Sequence, residues 1–212
     1  MTGSFITFAG EGQSRIEISK SVFIGNSCEV NTASEAESFV AKIRAKYPDA
    51  RHVCYAWRIS GVTFMQKYSD DGEPSGTAGM PILNVLEQKN ITNAVVTVTR
   101  YFGGILLGKG GLVRAYTESA SEAVRSSGLV SVTEGAEYEM SVGYDMSEKL
   151  IYVLNNAGWT VREPSYGASV ELTVVCPKDK GEELVSFVTD KSSGRVKAEK
   201  TGEALIRVPL EQ

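Results

Sequence analysis

A chain of 212 residues, 42% apolar and 23% charged, is long enough for one large or two small cored domains. Its net charge of −4, from 22 basic and 26 acidic side chains, excludes a basic footprint over the whole surface, so any nucleic-acid contact must rest on a local patch. No apolar run approaches the ~20 residues of a membrane span, no secretory signal is visible at the N-terminus, and Cys28, Cys54 and Cys176 form no CxxC pair; the expectation is a cytoplasmic protein with reduced thiols.

In chain order, the first 14 residues are small and polar and are expected to be loosely held. Ile16, Ile18 and Val22 to Ile24 suggest one or two strands. Thr32 with Glu35, and Ser34 with Glu37, each fit a capping box, and Ala36, Phe39, Val40, Ile43 and Tyr47 then share a helix face that ends at Pro48. His52 to Ser60 alternates with a period of two, which predicts a strand with one packed face. Thr63 to Tyr68 predicts a further short strand. The run Ser69 to Pro81 (SDDGEPSGTAGMP) is dense in turn formers and predicts a structured loop, followed by a short helix to about Asn90 with Pro81 in its first turn.

The β-branched run from Ala94 predicts a buried strand to Phe102. A loop with glycines at 103, 104, 108, 110 and 111 follows, and a helix runs from about Lys109 to Ser127, closed by Gly128. Alternation puts Arg100 and Phe102 on one strand face and Tyr101 on the other, with Phe102 expected in the core. Beyond a short junction, Leu129 to Gly135, the pattern becomes strand, helix, strand, strand, helix, strand. The strands fall near 138–144, 159–166, 168–176 and 195–208. The helices fall near 145–157 and 179–191, with Asp145/Glu148 and Asp179/Glu182 as Asp-started capping boxes. The βαββαβ order is that of a ferredoxin-like domain. The expected fold class is α+β in two domains, 1–134 and 135–212.

Three places carry candidate chemistry. Gly103 to Lys109 has GxxxxGK spacing between a strand and a helix, yet Gly110 stands where a P-loop needs a hydroxyl for Mg²⁺, which argues against a nucleotide site. The same loop could serve a simpler phosphate or nucleic-acid contact through Arg100, Tyr101, Gly103, Gly104, Lys109, Gly110 and Arg114, or its glycines could serve tight packing alone. The second place is His52 with the loop of Asp70, Asp71, Glu73 and Pro74, where a general base and carboxylates could form a hydrolytic site; solvated or turn-capping carboxylates are the plainer reading. The third is the Asp70–Pro81 loop, together with the acidic second domain, as a docking surface for a protein partner. No metal or cofactor is expected, since no zinc motif, dinucleotide fingerprint or nucleophile elbow is present.

Three runs, HVCYAW from His52, SDDGEPSGTAGMP from Ser69 and VTRYFGGILLGKGGLVRAY from Val98, closely resemble the IMPACT/YigZ family, and the whole chain resembles its two-domain bacterial YigZ-type members. Leu106 departs from the pattern, standing where many members carry a basic residue. The resemblance implies a first domain like the second domain of ribosomal protein S-five and domain IV of elongation factor G, and a second like domain V of that factor. It also implies a non-enzymatic role in translational regulation, with RNA or the ribosome as a partner, or a protein partner in stress control as the family's eukaryotic members have.

Overall fold

The computed structural model describes residues 4–61 and 63–210. They form two compact units, with Phe5–Ser131 the body of the first and Val132–Arg207 the body of the second. The order in the first unit is β1 (Phe5–Phe8), β2 (Gly12–Ile18), β3 (Ser21–Glu29), α1 (Ala33–Lys46), β4 (His52–Ile59), β5 (Met65–Ser69), α2 (Gly79–Gln88), β6 (Ala94–Tyr101) and α3 (Gly108–Ser127). Strand β1 and the start of β2 lie in the N-terminal stretch expected to be loose. There Phe8 is fully buried, and the Ala9 N–H donates to the Gly128 carbonyl.

The first unit is built on one antiparallel sheet of order β2-β3-β6-β4-β5. The central strand β6 carries the β-branched run, and seven of its eight residues are buried because both sheet faces are covered. On one face, Phe39, Val40 and Ile43 of α1 pack on Val53, Tyr55, Trp57 and Val95. On the other, Ile82, Leu86, Leu112, Tyr116 and Ala120 of α2 and α3 pack on Phe23, Cys54, Ala56, Val96 and Val98. Strand β4 therefore has two packed faces where its period predicted one. The face carrying Cys54 and Ala56 has small side chains because two helices lie against it.

Local sequence explains the helix ends. Thr32 is the N-cap of α1 and accepts from the Glu35 N–H at 3.1 Å, while the Glu35 carboxylate accepts from the Asn31 N–H at 2.8 Å. Ser34 lies inside the helix, and Glu37 binds Trp57 and Lys67. Helix α3 is followed by Gly128 at φ +65°, a conformation that glycine adopts without strain.

The second unit holds most of β7 (Leu129–Val142) and β11 (Glu199–Leu210), and all of α4 (Tyr144–Asn156), β8 (Thr160–Val161), β9 (Ser165–Tyr166), β10 (Val170–Pro177) and α5 (Gly181–Ser192). The junction foreseen at Leu129 to Gly135 is the first half of β7. Strand β10 pairs with β7, β8 and β9, and β11 pairs with β7. Met140, Leu150, Leu154, Trp159, Leu172, Val174, Leu184 and Val188 form its core. The strand expected over 159–166 is two short pieces separated by Arg162 to Pro164, where proline offers no N–H for a ladder. Neither Asp-started capping box forms. The N-cap of α4 is Gly143, while Asp145 lies in the first turn and pairs with Arg195; the N-cap of α5 is Lys180.

Candidate functional site

The Asp70–Glu73 run lies beside the antiparallel pair β4–β6, in which His52 stands opposite Arg100. Each acid has its own task. The Asp70 carboxylate accepts from three backbone N–H groups, Gly76 at 2.8 Å, Ala78 at 3.0 Å and Gly79 at 2.8 Å. Helix α2 has no side-chain cap at its own N-cap, Ala78, so Asp70 supplies one from eight residues upstream. Asp71 sits at φ +43°; its carboxylate accepts from the Val53 N–H at 2.7 Å and pairs with Arg44 at 2.7 Å. Burial raises the Asp71 pKa, but the Arg44 guanidinium and the Val53 N–H outweigh it and hold the carboxyl below its usual range. The Asp71 carbonyl lies 2.8 Å from His52 Nδ1. The Pro74 carbonyl accepts from both the N–H and the hydroxyl of Thr77.

Glu73 turns inward. Its Oε1 accepts from Arg100 Nη1 at 2.7 Å and from the Tyr116 hydroxyl at 2.9 Å. The two charged side chains are 3% and 7% exposed, so the pair is a buried one. Arg100 also reaches Ser21 Oγ, which accepts in turn from the Gly103 N–H at 3.2 Å. Cys54 Sγ lies 3.0 Å from the Asp70 carbonyl and 3.4 Å from the Tyr116 hydroxyl. Burial pushes the Cys54 thiol far above its ordinary range, with nearby carboxylates adding to the shift, so this sulfur is a protonated donor and not a nucleophile. Burial likewise raises the Tyr116 hydroxyl. The Asp70 and Asp71 carboxylates are engaged by backbone N–H groups and Arg44, and it is the Asp71 carbonyl that meets His52. Among the described residues no three His, Cys, Asp or Glu side chains are grouped to hold a metal ion.

The glycine loop divides into packed and open positions. A Cβ on Gly103 would stand 2.0 Å from the Lys20 carbonyl carbon, so this glycine is required for the close approach of the β2–β3 turn. Gly104 (φ +84°), Gly108 (φ +67°) and Gly110 have nothing within 4 Å of the Cβ position. Lys109 and Arg114 are exposed and form no ion pair among the described residues, and Tyr101 is half-buried. Arg100, which the sequence placed with these cations, is withdrawn from the surface by Glu73. Phe102 is the converse correction: it is 53% exposed, because β6 ends at Tyr101 and the alternation that assigned it to the core ends there too. Sequence reading missed Ser21, Cys54 and Tyr116 as members of the buried network, and Lys20 as a third cation near the loop. The polar pair Ser19-Lys20 between two β patterns is a turn signal that could have found Lys20.

Two family models match the chain: the Impact N-terminal domain over residues 19–124, and a domain of unknown function, DUF1949, over 140–195. The chain belongs to the IMPACT family. It is 35% identical over 195 residues to IMPACT family member YvyE of Bacillus subtilis (strain 168), covering 92% of this chain and 90% of that one. It is 37% identical over 180 residues to IMPACT family member YigZ of Escherichia coli (strain K12), covering 84% and 88%. A solved structure described as that of an hypothetical protein is 34% identical, with a TM-score of 0.61 over 93% of this chain and 97% of that one. The Impact N-terminal match runs from the β2–β3 turn through α3, so it contains the Glu73–Arg100 pair and the whole glycine loop.

Proposed function

We propose that this protein is a non-enzymatic, translation-associated regulator, and that its first unit contacts RNA or the ribosome through the glycine loop and the start of α3. One observation carries the reading. Lys109 and Arg114 are exposed without ion pairs among the described residues and Phe102 is exposed too, whereas the acids of the Asp70–Glu73 run are each bound to protein groups. Membership of the IMPACT family supports the translational setting. The strand–helix order of the second unit, with β10 and β11 both paired with β7, supports the ferredoxin-like reading of that domain and its likeness to a ribosome-bound factor. Among the described residues no helix is long and apolar enough to cross a membrane.

The test is co-sedimentation with ribosomes and binding to RNA across a salt series starting at ~50 mM. Binding should weaken steeply as salt rises, because each neutralised phosphate releases counterions. Lys109→Ala with Arg114→Ala removes two phosphate contacts, so the log–log salt slope should flatten by about 1.4 for a single strand. An unchanged slope and affinity, or no binding at all by the parent, removes the reading.

A further inference from the structure

The aromatic groups around Arg100 form a stack that begins in the core and ends at solvent. Tyr116 meets Phe23 edge-on, with ring centroids 5.3 Å apart and planes at 86°. The Arg100 guanidinium lies 5.5 Å from the Phe23 centroid and 5.5 Å from the Phe102 centroid. Tyr116 and Phe23 are fully buried, whereas Phe102 is 53% exposed. Arg100 is itself held by Glu73 and Ser21. Phe102 is thus an exposed ring backed by a fixed cation, and little of its freedom remains to be lost on binding.

We propose that Phe102 is the stacking platform for an unpaired base, so that the RNA taken by this face is single-stranded. The inference deepens the proposed RNA contact and rests on it. A ring at the end of a strand can stack only on a base whose face is free, and a duplex keeps those faces covered. Stacking accepts every base and needs no contact to base edges. Space for the ligand is present: Gly104, Gly108 and Gly110 leave the backbone side of the loop open. Ile105 and Leu106, 45% and 86% exposed, add apolar surface to the loop that follows the ring. Lys109 and Arg114 take the flanking phosphates, which gives affinity without sequence preference.

The experiment uses the full chain and fluorescence anisotropy with two labelled RNAs at ~50 mM salt, one unstructured strand of about 12 nucleotides and one hairpin duplex with the same number of phosphates. The unstructured strand should bind more tightly. Phe102→Ala should weaken it about fivefold or more and leave the duplex unchanged, while Phe102→Tyr, which keeps the ring, should retain binding. Equal affinity for the two RNAs overturns the inference. So does an unchanged Phe102→Ala when Lys109→Ala with Arg114→Ala weakens binding; the RNA contact then stands and the stacking falls. Failure of the parent to bind either RNA removes the contact itself. Ribosome co-sedimentation lost in Leu106→Ser but kept in Phe102→Ala would assign the loop to a protein surface, again against the inference.

Discussion

Glu73→Gln tests whether the buried pair organises the first unit. The substitution keeps the shape and removes the charge, leaving the Arg100 guanidinium 7% exposed and uncompensated. Removing one partner of a buried pair costs about 3–5 kcal/mol, since the remaining charge keeps its desolvation penalty without its counter-charge. The chain has two tryptophans, Trp57 in β4 of the first unit and Trp159 in the second. A Trp159→Phe background therefore makes Trp57 fluorescence a reporter of the first unit alone. With a urea m-value of about 1–3 kcal/mol/M, the midpoint should fall by roughly 2 M. Tyr116→Phe removes one hydrogen bond to a charged acceptor and should cost about 1.5–3 kcal/mol. The double variant Glu73→Leu with Arg100→Met should be less damaging than Glu73→Gln alone, because no orphan charge remains. A Glu73→Gln protein within about 1 kcal/mol of its parent, or a double variant that falls well below it, would refute the reasoning.

Other outcomes follow from single contacts. Gly103→Ala places a methyl 2.0 Å from the Lys20 backbone and should cost about 3 kcal/mol or more, whereas Gly110→Ala, in open space within α3, should gain up to about 1 kcal/mol in the same urea assay. The Asp71 carboxyl is held below its ordinary pKa, so the unfolded chain takes up a proton at a higher pH than the folded one. Its contribution to stability is complete above the unfolded pKa of ~3.9 and is lost as pH falls through the folded value. Asp71→Asn should therefore show a shallower loss of stability below about pH 4 than the parent, and parallel curves would contradict the assignment. Cys54 is buried and protonated, so alkylation at pH 8 followed by mass spectrometry should leave it unmodified until the first unit unfolds.

Elements defined by neighbours in sequence were legible from the sequence. The Thr32–Glu35 box of α1 forms through contacts within a few residues, while the β-branched run of β6 and Pro81 at the entry to α2 mark their elements by residue type. The Glu73–Arg100 pair spans 27 residues and depends on β4 and β6 lying antiparallel. No local pattern states that register, and Arg100 accordingly read as a surface cation. Phe102 failed for a related reason: period-two reasoning carries a side chain to a face only while the strand continues, and β6 ends one residue earlier. Asp145 and Asp179 show the limit of motif spacing. Their capping patterns are present in sequence, yet Gly143 and Lys180 occupy the N-caps.

The glycine loop looks like a phosphate loop because both solve the same steric problem, a strand that must turn sharply into a helix. Here the solution is divided among different glycines. Gly103 is spent on the backbone of the β2–β3 turn and fixes where the loop leaves the sheet. Gly104 and Gly108 supply the left-handed corners that carry the chain outward to α3. The buried Arg100 ties the root of that loop to Glu73 and so to the run that caps α2 through Asp70. A strained or mobile root would spread Phe102, Lys109 and Arg114 over many arrangements and charge the ordering cost to any ligand. The geometry of the proposed binding face therefore depends on residues that never touch the ligand, and Glu73→Gln should weaken RNA binding even under conditions in which the first unit remains folded.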